Sequence, residues 1–300
     1  MTEGSPSPVR RGRRPFLRGC AVILASMAGF FLLLGIVSRM GDMSFLGGGK
    51  VGIVPIIGLI ADSEPVIGQI RKFAKDDSVK AIVLRINSPG GGVGPSQEIH
   101  EEVRKLRGKK VVVTSMGALA ASGGYYIACA SEKIFANPGT ITGSIGVIMQ
   151  FVNVKELIEK IGVRGMVVKS GDYKDIGSPV REMKPGERKL LQGVIDNVHG
   201  QFVGAVAEGR NLPREQVLAI ADGRIFSGEQ AKERGLVDVL GNQEDAVAEA
   251  ARMAKIEGEP KVVTPPKKRF SILELLRDEA KSIIDEALTH SRFRLDYLSR

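Results

Sequence analysis

At 300 residues, 43% hydrophobic and 26% charged, the chain can hold one large domain or two smaller ones and is too apolar to be disordered. Its net charge of +9 suggests nucleic acid until it is mapped, because residues 1–18 carry +4 and residues 261–300 carry +3, leaving +2 on 19–260. A nucleic-acid binder places a basic stripe with interleaved aromatics on its folded domain, so that class is set aside. Three scattered histidines and two distant cysteines, Cys20 and Cys129, give neither metal-ligand spacing nor a disulfide, and no metal or cofactor is expected.

In chain order, a basic tail (1–18) holds Arg10, Arg11, Arg13, Arg14 and Arg18. The uncharged run CAVILASMAGFFLLLGIV follows, long enough to cross a hydrocarbon core of ~30 Å. These predict a transmembrane helix over 19–38 with its N-terminus inside and the following domain outside a bacterial-type inner membrane. RRPFL (13–17) also resembles a twin-arginine export signal. A cleaved leader fits less well, since SRMGD is a poor small-x-small site, and Cys20 sits at the wrong end of the run for a lipoprotein.

GDMSFLGGGK closes a spacer over 39–50. VGIVPIIGLI (51–60), AIVLRIN (81–87), VVVTSM (111–116) and KIFAN (133–137) read as buried strands, and VIGQIRKFAKDD and a stretch from Pro95 to Leu106 read as helices between them. Alternating strands and helices predict an α/β domain on parallel strands over 51–258. From Pro185 to Ala254 the pattern turns mainly helical. EPKVVTPPKK (259–268) reads as a linker, and 272–288 as an amphipathic helix within a C-terminal extension, 259–300.

Two stretches carry chemistry. INSPGGGVG (86–94) joins a strand end, a proline turn and a glycine run to a helix, which lets backbone N–H groups face a ligand. The Walker pattern fails for want of Gly-Lys-Ser/Thr, leaving an oxyanion-binding turn or a plain tight turn. In GALAASGGYYIACA (117–130), Ser122 opens an apolar helix, so it is either an N-cap or a nucleophile. A serine nucleophile needs a base, yet His100 and His199 lie in helices and His290 in the tail. A lysine serves only if its pKa falls from ~10.4 toward ~7–8. Most lysines sit in charged stretches; Lys174 differs, standing among Gly, Tyr, Ile and Pro in the non-helical KSGDYKDIGSP (169–179), although Asp175 beside it opposes that fall if its carboxylate points inward.

NSPGGG (87–92), GALAASGGYYIA (117–128), TGSIGV (142–147) and SGDYKDIGSP (170–179) together resemble the motifs of the signal peptide peptidase family, peptidase family S49, over about 51–255. The resemblance implies a ClpP/crotonase-like α/β fold and a membrane-anchored serine endopeptidase with a Ser-Lys dyad. It makes Ser122 the nucleophile and Lys174 the general base. Ser144 would orient the lysine, and the N–H groups of Gly91 and Gly123 would form the oxyanion hole. Implied substrates are signal-peptide remnants and other hydrophobic peptides. Some relatives are twice as long, with serine and lysine in different halves. By analogy, this chain is expected to form a homo-oligomer whose dyad is shared between neighbouring protomers, and the tail RFRLDYLSR to occupy a neighbouring site. Rival readings are a non-catalytic membrane scaffold of the same fold and an acyl-CoA enzyme. An exterior domain argues against the second.

Overall fold

The computed structural model describes residues 26–33, 49–265 and 296–298. Residues 26–33 form an exposed apolar helix, α1, within a unit spanning Met1–Gly48. The rest of the predicted span at 19–38, residues 39–48 of the spacer, the helix at 272–288 and His290 lie outside the described residues. Among the described residues, no helix is long and apolar enough to cross a membrane.

The second unit is built on a mainly parallel sheet. Its central strands are β1 (Lys50–Ile57), β2 (Val79–Ser88) and β4 (Val111–Ala121). They read as near-continuous apolar runs because both faces are covered, as parallel strands require. Val51, Val54, Ala81, Leu84, Val113 and Met116 are each fully buried. The order is β7-β6-β4-β2-β1-β9, with β7 (Ile225–Ser227) antiparallel to β6 (Ile141–Gly143) and β9 (Lys261–Val263) at the opposite edge. β5 (Lys133–Ala136) pairs with the other end of β4's edge and carries β8 (Val239–Leu240).

On one face, Val54, Leu84, Ile86 and Met116 pack with α2 (Glu64–Lys75), α3 (Val93–Arg104) and α6 (Pro185–Arg210) through Ile70, Phe73, Ile99 and Phe202. The opposite face, through Ile53, Val83 and Phe135, is covered by Ala246, Val247 and Ala250 of α9 (Gln243–Met253). A capping box starts α9, where the Asn242 side chain accepts from the Glu244 and Asp245 N–H groups and Asp245 accepts from the Asn242 N–H.

Two expectations change. β4 runs on to Ala121 through the small residues GALAA, because β6 continues the pairing beyond β5: Leu119, Ala120 and Ala121 face Ile141, Thr142 and Gly143. The linker expected at 259–268 contains a strand instead. Lys261–Val263, β9, pairs in parallel with Lys50–Gly52, its β-branched residues extending the open edge of β1.

Candidate active site

The nucleophile candidate stands where β4 turns into α4 (Gly123–Ala128). Ser122 adopts φ 51, ψ −117, a sparsely populated conformation for a residue with a Cβ. The surroundings over-determine it. Its N–H donates to the Gly143 carbonyl at 2.9 Å and its carbonyl accepts from Tyr126 N–H at 2.8 Å. The Thr142 hydroxyl donates to the Ala120 carbonyl at 2.6 Å, tying β6 to β4 beside the turn.

Helix α4 has six residues, too few to persist alone, and all six are buried. The two tyrosines hold it from both sides. The Tyr125 hydroxyl donates to the Leu236 carbonyl at 2.9 Å. The Tyr126 ring meets His100 at 4.8 Å and Phe202 at 5.0 Å. Gly124 lies against Ser88, where a Cβ would come 3.3 Å from the Ser88 carbonyl.

Ser122 occupies the N-cap position without capping through its side chain. Its Oγ is buried and has no hydrogen-bond partner among the described residues. A buried hydroxyl left unpaired costs roughly 1–3 kcal/mol, an arrangement suited to a group awaiting a ligand or base.

The glycine run forms the second wall. Gly90–Gly92 make a short strand, β3, against Ile60: Ile60 N–H donates to Gly90 O at 2.9 Å, and Gly92 N–H to Ile60 O at 2.8 Å. Successive residues of a strand point their polar groups to opposite sides, so the Gly91 N–H and C=O face away from Ile60. A Cβ on Gly91 would drive into the Ile60 carbonyl, which is why a glycine stands here. On the free edge, Asp296–Leu298 (β10) pair antiparallel with Gly92–Gly90, Tyr297 opposite Gly91. The tail segment expected in a neighbour's site thus lies on the glycine strand of its own chain.

Ser144 repeats the backbone geometry of Ser122, with φ 52, and is nearly buried. Its N–H donates to the Arg224 carbonyl at 2.8 Å, and Gly223 N–H returns a bond to Ile145 O at 3.1 Å. The turn of ADGRIF (221–226), within the stretch expected to be mainly helical, therefore places this serine. Its signal was the Asp-Gly pair beside a short apolar run.

Lys174 is exposed and stands in a chain of turns without regular structure. Its N–H donates to Gly171 O at 3.2 Å. No hydrogen bond joins it to Ser122 within this chain, given the unpartnered Oγ. Asp175 points away from that role: it accepts from Arg181 Nε at 2.8 Å and from Lys169 Nζ at 2.5 Å. The Arg181 fork, then Lys169, holds its carboxyl well below the ordinary range.

Two further groups resolve as packing. Burial pushes the Cys129 thiol up to about 12, an inert side chain. His100 has its ring against Tyr126, and burial lowers its pKa to about 4. His199 Nε2 donates to the Ala221 carbonyl, 2.7 Å away.

A mainly parallel α/β sheet that presents a strained, unpartnered serine at a strand–helix junction beside a glycine strand is an arrangement suited to a serine peptidase. The comparisons agree: the Clp protease family matches residues 57–141 and peptidase family S49 matches residues 104–257. A candidate protease of Synechocystis sp. is 48% identical over 209 residues, 69% of this chain and 76% of that protein. A candidate signal peptide peptidase SppA of Enterococcus faecium is 43% identical over 63% of this chain and 55% of its own length. The chloroplastic serine protease SPPA of Arabidopsis thaliana is 34% identical over 72% of this chain and 31% of its own length. The chain belongs to peptidase family S49.

Proposed function

We propose that the chain is a membrane-anchored serine endopeptidase in which Ser122 is the nucleophile and Lys174 the general base. The observation that carries the reading is the buried, unpartnered Ser122 Oγ on its strained turn, with the Gly91 N–H turned away from Ile60 toward the edge of β3 on which β10 lies. Neutral Lys174 takes the Ser122 proton as Oγ attacks a peptide carbonyl. The Gly91 and Gly123 N–H groups stabilise the oxyanion. Lys174 then gives its proton to the leaving amine, and water activated by the same lysine releases the acyl group. Ser144 orients the lysine amine.

The substrate lies as an antiparallel strand on Gly90–Gly92, the mode that β10 adopts. Signal-peptide remnants and other hydrophobic peptides suit the exposed apolar side chains nearby: Ile57 and Leu59 beside Ile60, and Ile141 and Ile225 flanking Gly143 across β6 and β7.

The base comes from a neighbouring protomer of a homo-oligomer. Two features support this. Ser122 and Lys174 of one chain are not bonded, and the segment leading to Lys174 exposes Ile161, Met166 and Val168. The apolar run at 19–38 anchors the assembly, with the N-terminus inside and the peptidase outside the inner membrane.

The test is cleavage of an apolar peptide by the wild-type chain, Ser122→Ala and Lys174→Ala, with a fluorophosphonate label in parallel. Cleavage and labelling confined to wild type support the dyad; equal rates in all three refute it. A chain that never takes the label would be a scaffold.

A further inference from the structure

Lys174 sits in a loop with no strand or helix of its own, so its placement must come from elsewhere. Successive turns shape the loop locally: Lys174 N–H to Gly171 O at 3.2 Å, Ile176 N–H to Tyr173 O at 3.1 Å and Ser178 N–H to Asp175 O at 3.1 Å. Such turns set curvature but do not fix a loop to the body of the protein.

One guanidinium does that. Arg181 Nε donates to Asp175 Oδ2 at 2.8 Å, and Nη2 to Asp175 Oδ1 at 2.9 Å and to the Asp175 carbonyl at 3.0 Å. Its other side grips Glu187, with Nη1 to Oε2 at 2.8 Å and Nη2 to Oε1 at 2.5 Å, while Nη1 also reaches the Glu182 carbonyl at 3.0 Å. Glu187 belongs to the first turn of the long helix α6, is 1% exposed, and accepts from Lys184 N–H at 2.8 Å. A planar fork can join two carboxylates in this way, whereas a lysine point charge cannot.

We propose that Arg181 is the positioning residue of the base loop, locking the residue next to Lys174 onto the buried Glu187 in the first turn of α6. This rests on Lys174 being the base. The charged groups facing Asp175 are Lys169 and Arg181, with Glu187 of α6 behind the guanidinium and Lys184 beside Glu187. Arg181 and Lys169 together engage the Asp175 carboxylate oxygens.

The experiment measures kcat, KM and the pH dependence of kcat on an apolar peptide for the full chain and for Arg181→Gln, Arg181→Lys, Asp175→Asn and Asp175→Asn/Arg181→Gln. Loss of placement lowers kcat by roughly 10–100-fold with KM little changed in Arg181→Gln, and Arg181→Lys does not restore it. In Arg181→Gln a positive charge beside the loop is lost and the Asp175 carboxylate keeps only Lys169, which favours protonated Lys174, so the acid limb of kcat moves to higher pH. The double variant, lacking the carboxylate charge as well, returns the limb to its wild-type position while kcat stays low. Wild-type kcat and an unmoved limb in Arg181→Gln overturn the proposal, as does a lowered kcat whose limb does not respond to Asp175. If Arg181→Gln fails to fold, Asp175→Asn alone decides, since it keeps the Arg181–Glu187 pair: wild-type kcat there overturns the clamp. Full activity in Lys174→Ala would instead remove the base assignment, a distinguishable failure.

Discussion

The two halves of the site are built by different physics. The Ser122 half is made of sheet and core: residues 120–130 are all buried, the turn is pinned by backbone hydrogen bonds, and α4 is wedged between Leu236 on one side and Phe202 on the other. The Lys174 half is made of turns and ion pairs, with Lys174 exposed and apolar side chains such as Met166 and Val168 facing solvent. The first half is complete in its rigidity and lacks a base. The second has the proposed base and an uncovered surface. Each supplies what the other lacks, which is the ground for proposing a site shared between protomers.

The largest expected effects come from breaking either half at its reacting atom. Ser122→Ala and Lys174→Ala should each lower kcat by roughly 10⁴–10⁶-fold without loss of fold, checked by peptide cleavage and circular dichroism. Loss in one alone would mean that the two halves do not act together. Gly91→Ala sharpens the comparison at the oxyanion wall. Its Cβ meets the Ile60 carbonyl, so β3 must shift, and kcat should fall by about 10²–10³-fold, read by the same assay.

Phe202→Ala breaks the rigidity of the nucleophile half from behind. The side chain is fully buried against Tyr126, and its loss should cost about 3–5 kcal/mol of stability, measured by urea unfolding.

The smallest effect concerns pH. His100 is held neutral by burial, its pKa lowered to about 4. The unfolded chain therefore binds a proton there before the folded one, and stability falls as pH drops from about 6.5 toward 4, by roughly 2–4 kcal/mol. His100→Phe should flatten that window in urea unfolding at pH 7 and pH 4.5. The carboxylates act lower: Glu187, brought down to about 2 by Arg181 and the Lys184 N–H, loses its contribution as pH falls from about 4.5 toward 2.

Much of this organisation is legible in residue patterns, and the gaps have physical causes. β-branched runs located β1, β2, the start of β4 and β5, because buried parallel strands need them. The extension of β4 through GALAA was hidden, since small residues carry no strand signal and the pairing depends on distant β6. β9 was hidden by the prolines and lysines around three β-branched or long residues whose partner lies 211 positions away at Lys50. In the site, Ser122 and the glycine run stand out by their turn chemistry. The role of the ADGRIF turn in placing Ser144 does not, because it acts through a backbone carbonyl that any residue would offer. Asp175 looked like an obstacle to Lys174, and only the fold reveals that Arg181, six residues on, pairs with its carboxylate.

The most direct test of a shared site is subunit mixing. Ser122→Ala chains keep an intact lysine and Lys174→Ala chains an intact serine, so both are inactive alone. Co-assembled at equal ratio, they should regain cleavage at roughly a quarter of the interfaces, those where an intact serine meets an intact lysine in a closed ring. A mixture as inactive as its parents, with mixed assemblies confirmed by differently tagged subunits, would contradict a dyad formed between protomers.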